Sequence, residues 1–213
     1  MNITEKAIHN SEQLKEKTSS SKVFVNSLDL LRFSKSNVIR KTSFLLIEFA
    51  ASLIMSCQIS TISLVKSTFE LLIGVMSALV AIVFTGYAFF QALINDELLV
   101  ALLSVEDSGD KSQTSGSLIS TNKYFAEVMI FQISCLVADV AIVIFSIILP
   151  DNWCLTGLYP CDLVLSSVFI LAILHCNIEI IWEMKSFIFN TFQLFNLHAC
   201  ARMRHINDAK DCQ

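Results

Sequence analysis

The stretch that decides the fold is 163–182, LVLSSVFILAILHCNIEIIW, which continues without a break into 183–196, EMKSFIFNTFQLFN. Twenty mostly apolar residues rising about 1.5 Å each cross the ~30 Å hydrocarbon core of a bilayer. Residues 163–197, taken as one helix, extend about 52 Å, which is more than tilting can absorb. The sequence therefore predicts a membrane-spanning helix that continues beyond the bilayer, with Glu183 and Lys185 at its exit.

Three further apolar runs of similar length occur at about 44–64, 71–91 and 125–149. Hydrophobic residues make up 54% of the chain and charged residues only 16%, which is unusual for a soluble domain. Because only helices and closed barrels satisfy backbone hydrogen bonds in lipid, we expect an all-α membrane protein. The predicted architecture is a four-transmembrane-helix bundle (43–197) with cytoplasmic helical extensions, preceded by a cytoplasmic segment (1–42) and followed by a cytoplasmic tail (198–213).

The basic residues predict the orientation of this bundle. Of the 15 Lys and Arg residues, only Lys66 lies in a predicted outer segment, the short loop 65–70. Positively charged segments stay in the cytoplasm, so a multi-pass protein with both termini cytoplasmic is expected. The same residues flank spans rather than form a basic patch, which predicts the lipid bilayer as a partner and no nucleic acid. Residues 22–41 suit a helix on the membrane surface; a disordered tail is the alternative.

Ionisable and polar groups inside the spans are the candidate site. Glu48 and Glu70 lie near span ends and are expected to reach the membrane surface. Asp139 lies near the middle of the third span, where charge is costly and often marks a functional cavity. His175 lies one turn before Glu179 and shares its helix face. We expect Asp139, His175 and Gln132 to face a polar cavity; an interhelical hydrogen bond with no functional role is the alternative.

Cysteine and histidine positions limit the possible chemistry. Cys154 and Cys161 share the predicted outer loop 150–162, where an oxidising environment permits a disulfide; two unpaired thiols are the alternative. The spacing of Cys and His residues gives no zinc motif, so no metal is expected. No nucleophile, base and orienting group occur at plausible spacing, so neither catalytic residues nor a cofactor is expected and the chain is not predicted to be an enzyme.

Three stretches together resemble the insect gustatory and odorant receptor superfamily. FTGYAFFQALINDELLVALLSVED, 84–107, is similar to the family's second span with its leucine-rich extension. NKYFAEVMIFQISCLVADVAIVIF, 122–145, is similar to the third span. The stretch 163–196 is similar to the fourth span, which leaves the membrane as a long helix. The resemblance covers roughly 44–197 and rests on the order, length and character of the segments.

This resemblance implies a plasma-membrane chemoreceptor that recognises small organic tastants or odorants in a cavity formed by spans two to four. The implied ligand-binding residues are Phe84, Tyr87, Gln132, Asp139 and His175. The family forms tetrameric ligand-gated cation channels with seven spans, and its Thr-Tyr to Gln-Phe pattern in the seventh span is missing here. The resemblance therefore implies a receptor truncated after the fourth span, which would contribute to a channel by forming homo- or hetero-oligomers with full-length receptor subunits.

A protein of another class stays open beside the receptor. The same four spans would suit a membrane scaffold or accessory subunit without ligand chemistry. A small transporter would require repeated halves and broken helices, and the sequence has neither.

Overall fold

The computed structural model describes residues 19–35, 37–57, 61–94, 118–150, 153 and 158–211. Helix accounts for 92% of these described residues and they contain no strand, so the predicted all-helical fold is confirmed. The α-helices are α1 (Ser20–Ser27), α2 (Val38–Ser56), α3 (Thr61–Leu93), α4 (Leu118–Ile148) and α5 (Tyr159–Asp211), and a short 3-10 helix, Leu28–Leu31, follows α1.

Helix α5 runs without interruption over 53 residues, which confirms the prediction of one continuous helix across 163–197. It begins earlier than predicted, because residues 159–162 of the expected outer loop already belong to its first turn. Pro160 is the second residue of the helix, where a missing backbone N–H costs no hydrogen bond. Asp162 lies in the same turn and places negative charge near the positive end of the helix dipole.

The boundary between the first two spans differs from the prediction. Helix α2 ends at Ser56 and α3 begins at Thr61, so Thr61–Leu64 belong to α3 and not to the first span. The predicted loop 65–70 is helical. Its polar residues are compatible with a helix, since Thr68 Oγ1 donates a hydrogen bond to the Leu64 carbonyl and Lys66 pairs with Glu70 one turn later.

Among the described residues, three helical segments are long and apolar enough to cross a membrane: Thr61–Ala92, Ser120–Ile148 and Tyr159–Cys200. They support a membrane protein by length and composition. Helix α2 is not among them, because its 19 residues include Arg40, Lys41 and Glu48.

Other predicted segments are partly described. Residues 22–41 are helical over α1 and the following 3-10 helix, and α2 already starts at Val38. Helix α4 begins at Leu118, before the predicted third apolar run at about 125–149. The expected cytoplasmic extension after the second span falls largely on 95–117, outside the described residues.

Buried side chains recur at alternating intervals of three and four residues along the long helices. On α4 the series is Phe125, Val128, Gln132, Cys135, Asp139 and Ile142, with Phe131 buried beside Gln132. On α5 it is Ser167, Ile170, Leu174, Asn177, Ile180, Met184 and Phe187, with one interval of three in place of four and with Glu179 buried beside Ile180. Buried residues of α3 follow the same spacing at Phe69, Leu72 and Met76, and then at Val83 and Phe90. This spacing keeps one side of each helix directed at its neighbours, as in coiled coils.

The chain divides into two compact units, and α3, α4 and α5 each contribute residues to both. The polar unit comprises Leu28–Val80 and Phe131–Glu183. Its apolar core consists of Met55 of α2, Phe69 and Leu72 of α3, Ile142 of α4, and Ile170 and Leu174 of α5. The aromatic unit comprises Met1–Ser27, Ala81–Ile130 and Met184–Gln213.

Candidate functional site

Helix α5 supplies three polar side chains to the interior of the polar unit within five residues: His175, Asn177 and Glu179. Residues four apart lie on the same side of a helix, whereas a residue two positions away points about 200° around it. His175 and Glu179 accordingly contact α2, and Asn177 contacts α4. The apolar run 163–182 therefore carries polar contacts in two directions, one set to α2 and one to α4.

The first contact joins α2 and α5 through Glu48 and His175. Glu48 Oε2 lies 2.8 Å from His175 Nδ1, and the Glu48 side chain is fully buried while that of His175 is 15% exposed. The other carboxylate oxygen, Oε1, is buried without a hydrogen-bond partner in the part of the chain that the structure describes. The expectation that Glu48 reaches the membrane surface is therefore wrong, whereas Glu70 is half exposed. Glu48 lies within a long apolar run, and the sequence around it does not indicate its partner, which is 127 positions away.

One turn further along α5, Glu179 pairs with two basic residues at the start of α2. The Arg40 guanidinium approaches both carboxylate oxygens at 3.3 and 3.4 Å. The Lys41 ammonium lies 3.2 Å from Oε2 and donates a 2.7 Å hydrogen bond to the Leu30 carbonyl. Lys41 and Glu179 are almost completely buried. Burying these charges is costly unless each is paired, and here each has an opposite charge within reach.

Aromatic rings complete this ion-pair cluster. The Arg40 guanidinium carbon lies 4.9 Å from the Trp182 ring centroid and 5.7 Å from that of Phe44. The two rings meet edge to face at 5.3 Å. Lys41 lies 5.8 Å from the Phe33 ring centroid. Cation–π contacts strengthen when they are shielded from water, so the rings hold the basic groups against α5.

The second polar contact joins α4 and α5. Asn177 Nδ2 donates a 2.9 Å hydrogen bond to Asp139 Oδ1 and a 3.1 Å bond to the Ile173 carbonyl. Both side chains are completely buried. Asp139 therefore makes the interhelical hydrogen bond that was one of its two predicted roles. Gln132, two turns earlier on the same side of α4, is also completely buried.

The predicted ligand-binding residues do not all fall in one unit. Gln132, Asp139 and His175 belong to the polar unit, and Phe84 and Tyr87 belong to the aromatic unit. Phe84 is half exposed. A common cavity lined by Gln132, Asp139 and His175 stays a prediction.

Only one of the two cysteines of the predicted disulfide lies among the described residues. Cys161 lies exposed in the first turn of α5. Its predicted partner Cys154 lies outside the described residues, and the pairing stays a prediction.

Tyr87 takes part in an aromatic cluster with Phe90, Phe125 and Phe187. The Phe125 ring contacts all three others, with centroid distances between 5.0 and 5.9 Å. Phe187 is buried and packs over Gly86, where an added Cβ would lie 2.9 Å from its ring. Of the phenylalanines expected beyond the fourth span, Phe187 is thus covered by protein, and Phe189, Phe192 and Phe195 are exposed.

Sequence reasoning missed Arg40, Lys41 and Asn177 as site residues, and it misplaced Glu48. The sequence did contain a signal for Arg40, Lys41 and Glu48. Helix α2 carries positive charge at 40–41 and negative charge at 48, and α5 carries His175 before Glu179. Arg40 can meet Glu179 while Glu48 meets His175 only when the two helices are antiparallel, which is how the contacts align them. Asn177 had no such signal.

Comparisons of the chain with protein-family models, with curated proteins and with solved structures find no match. Within the described ranges, no group of three or more His, Cys, Asp and Glu side chains is arranged to hold a metal ion.

Proposed function

We propose that this chain is a multi-pass membrane protein whose helices α2 to α5 each cross the bilayer. The observation that carries the proposal is the distribution of polarity. Large apolar side chains are exposed on all three apolar helices, among them Leu71, Phe89, Val137, Ile148, Val164 and Phe169, while Gln132, Asp139, Asn177 and Glu179 are buried. Soluble bundles show the opposite arrangement, whereas membrane bundles direct ionisable residues to the interior.

Helix α2 is the first proposed span in the chain, in addition to the three long apolar helices. Its 19 residues extend about 28 Å, close to the thickness of the hydrocarbon core. Glu48 pairs with His175, and Arg40 and Lys41 pair with Glu179. Paired charges cost less in a bilayer than isolated ones, so contact with α5 lowers the cost of placing α2 across the bilayer.

The orientation follows from the basic residues. Lys66 would lie outside, between α2 and α3, and the other 14 Lys and Arg residues would lie on the cytoplasmic side. Both termini are then cytoplasmic. In this arrangement α5 crosses from outside to inside and enters the cytoplasm near Glu183 and Lys185.

The function proposed for this bundle is recognition of small organic molecules, as a gustatory receptor-like chemoreceptor of the plasma membrane. The resemblance of the segments at 84–107, 122–145 and 163–196 supports a receptor. Gln132 and Asp139 are completely buried and His175 is 15% exposed, and hydrogen-bonding groups of this kind within an apolar bundle are what small-molecule sites require. The chain would act without catalytic activity of its own, in an oligomer with subunits that form a cation channel.

The purified full chain in detergent tests this proposal directly. Its melting temperature is measured with a panel of small alcohols, esters, amines and sugars, and compounds that raise it are retained. Asp139→Leu should abolish the stabilisation by these compounds, and Val140→Leu, at a neighbouring exposed position, should preserve it. A full response in Asp139→Leu, together with improved expression, would assign Asp139 a structural role and count against the receptor.

A membrane scaffold or accessory subunit is the second candidate. It is favoured by one observation: Asp139 and His175 each have a side-chain partner on a neighbouring helix, as structural residues do. A chain of this type would show no stabilisation by any compound in the panel and would co-purify with a larger membrane protein. Genomic sequence encoding three further spans in frame would exclude it.

A further inference from the structure

The Asp139–Asn177 contact has two oxygens that no donor satisfies. Asn177 Nδ2 gives its two hydrogens to Asp139 Oδ1 and to the Ile173 carbonyl. Asp139 Oδ2 and Asn177 Oδ1 are buried, and neither has a hydrogen-bond partner among the residues that the structure describes. Buried polar atoms are nearly always paired, so two neighbouring acceptors without a donor require an explanation.

Neither oxygen can be satisfied by rearranging the pair. An ionised carboxylate only accepts hydrogen bonds, and the amide has already used both of its donors. Turning the amide over would place its oxygen against the carboxylate and would lose both existing bonds. In the described part of the chain no basic side chain contacts Asp139, so a full negative charge there would be uncompensated.

We propose that Asp139 is a proton-binding site and is held as a neutral carboxylic acid by Asn177. A proton taken up from water bonds to Oδ2, and the charge of the side chain changes from −1 to 0. The new O–H then donates to Asn177 Oδ1 while Asn177 Nδ2 continues to donate to Asp139 Oδ1. The result is a closed acid–amide ring with two parallel hydrogen bonds, in which one proton satisfies both remaining oxygens. This inference does not depend on the proposed receptor function.

The other ionisable groups near this pair do not provide a competing cation. Cys135 lies one turn before Asp139 on α4, and Cys176 is adjacent to Asn177 on α5; both are neutral or negative when they titrate. Arg40 and Lys41 are engaged by Glu179. His175 faces Glu48, so any positive charge on its ring is already balanced there.

Infrared spectroscopy of the full chain at neutral pH, with its aspartates labelled by carbon-13 at the side-chain carboxyl, provides the test. A protonated acid gives a carbonyl band well separated from carboxylate bands. The wild-type protein should show such a band with the isotope shift; Asp139→Asn should remove it and Asp29→Asn, at an exposed position, should retain it. Absence of the band from the labelled wild-type protein would overturn the proposal, whatever the variants do.

Thermal melting gives a second, independent readout. Asparagine at 139 offers one donor and one acceptor in the same places as a neutral acid, so Asp139→Asn should melt close to the wild-type temperature. A large drop would contradict a neutral Asp139. A melting temperature that rises with sodium or potassium in the wild-type protein, but not in Asp139→Asn, would also contradict it, because it would identify a carboxylate that holds a metal cation instead of a proton.

Discussion

Glu48 Oε2 and His175 Nδ1 lie 2.8 Å apart between antiparallel helices, although 127 positions of sequence separate the two residues. Eight residues before Glu48, Arg40 contacts Glu179, four residues after His175. Polar side chains thus attach helix α2 to α5 at two points, in addition to the contacts of Met55 in the apolar core of the polar unit.

His175→Leu should strongly destabilise the polar unit, because it leaves the Glu48 carboxylate buried without its partner. Removing one member of a buried charged pair typically costs about 3–5 kcal/mol. The double variant Glu48→Leu/His175→Leu should recover most of this loss, since it removes both polar groups together. Melting temperatures of the two single variants and the double variant in detergent measure the coupling.

Glu70→Leu is the matched control for this cycle. Glu70 also pairs with a basic residue, Lys66, but both side chains are largely exposed. Its loss should change the melting temperature little. Additive effects of the Glu48 and His175 substitutions would show that the two side chains do not interact.

Arg40→Lys should loosen the start of α2 even though it conserves the charge. Lysine provides neither the two-pronged contact with Glu179 nor a flat group to lie over Trp182. The fluorescence of Trp182 reports the change once Trp153, the other tryptophan, is replaced by Phe. A shift in the emission of Arg40→Lys is expected, whereas Lys66→Arg, at an exposed position, should leave it unchanged.

Gly86→Ala should destabilise the aromatic unit, because the added methyl group would lie 2.9 Å from the Phe187 ring. Overpacking of this kind costs about 1–3 kcal/mol. Gly74→Ala is the control on the same helix, since nothing lies within 4 Å of its added methyl group. It should be neutral or stabilise α3 by up to about 1 kcal/mol through helix propensity.

The double variant Gly86→Ala/Phe187→Leu separates the clash from a general effect on the helix. Leucine leaves room for the methyl group, so the effect of Gly86→Ala should be smaller in this background. An equal loss in both backgrounds, measured by thermal melting, would mean that Phe187 is not the cause.

Labelling of single cysteines tests the proposed orientation of α5. Cys161 and Cys200 are both exposed, near the two ends of the apolar part of the helix. On intact cells, a membrane-impermeant maleimide should label a chain that retains only Cys161. A chain that retains only Cys200 should react after permeabilisation. The reverse pattern would contradict the orientation, and labelling of both on intact cells would contradict a crossing by α5.

The sequence alone was sufficient for the long helices and for the polar positions inside them. Apolar runs of about twenty residues predicted α3, α4 and α5, and the phenylalanine-rich continuation beyond 182 is helical as expected. Asp139 and Gln132 were selected because polar groups in such runs are rare, and both are buried. These predictions depend on local composition, which the sequence displays directly.

Pairings between helices could not be predicted in the same way. Lys41 was counted as one of the basic residues flanking a span, yet it is buried against Glu179 because α2 packs antiparallel on α5. The end of α2 was also missed, since 57–60 contains neither glycine nor proline to mark it. The pairing of Lys41 with Glu179 depends on a contact between distant segments, which local composition does not display.

The alternating spacing of buried residues on α4 and α5 limits which changes in chain length the protein can accept. A single inserted or deleted residue within either helix turns everything beyond it by about 100°, which would carry Asp139 or Asn177 away from its partner. A gain or loss of seven residues turns the helix by only about 20°. Relatives that preserve these contacts should therefore differ in length between the helices, or by whole heptads within them.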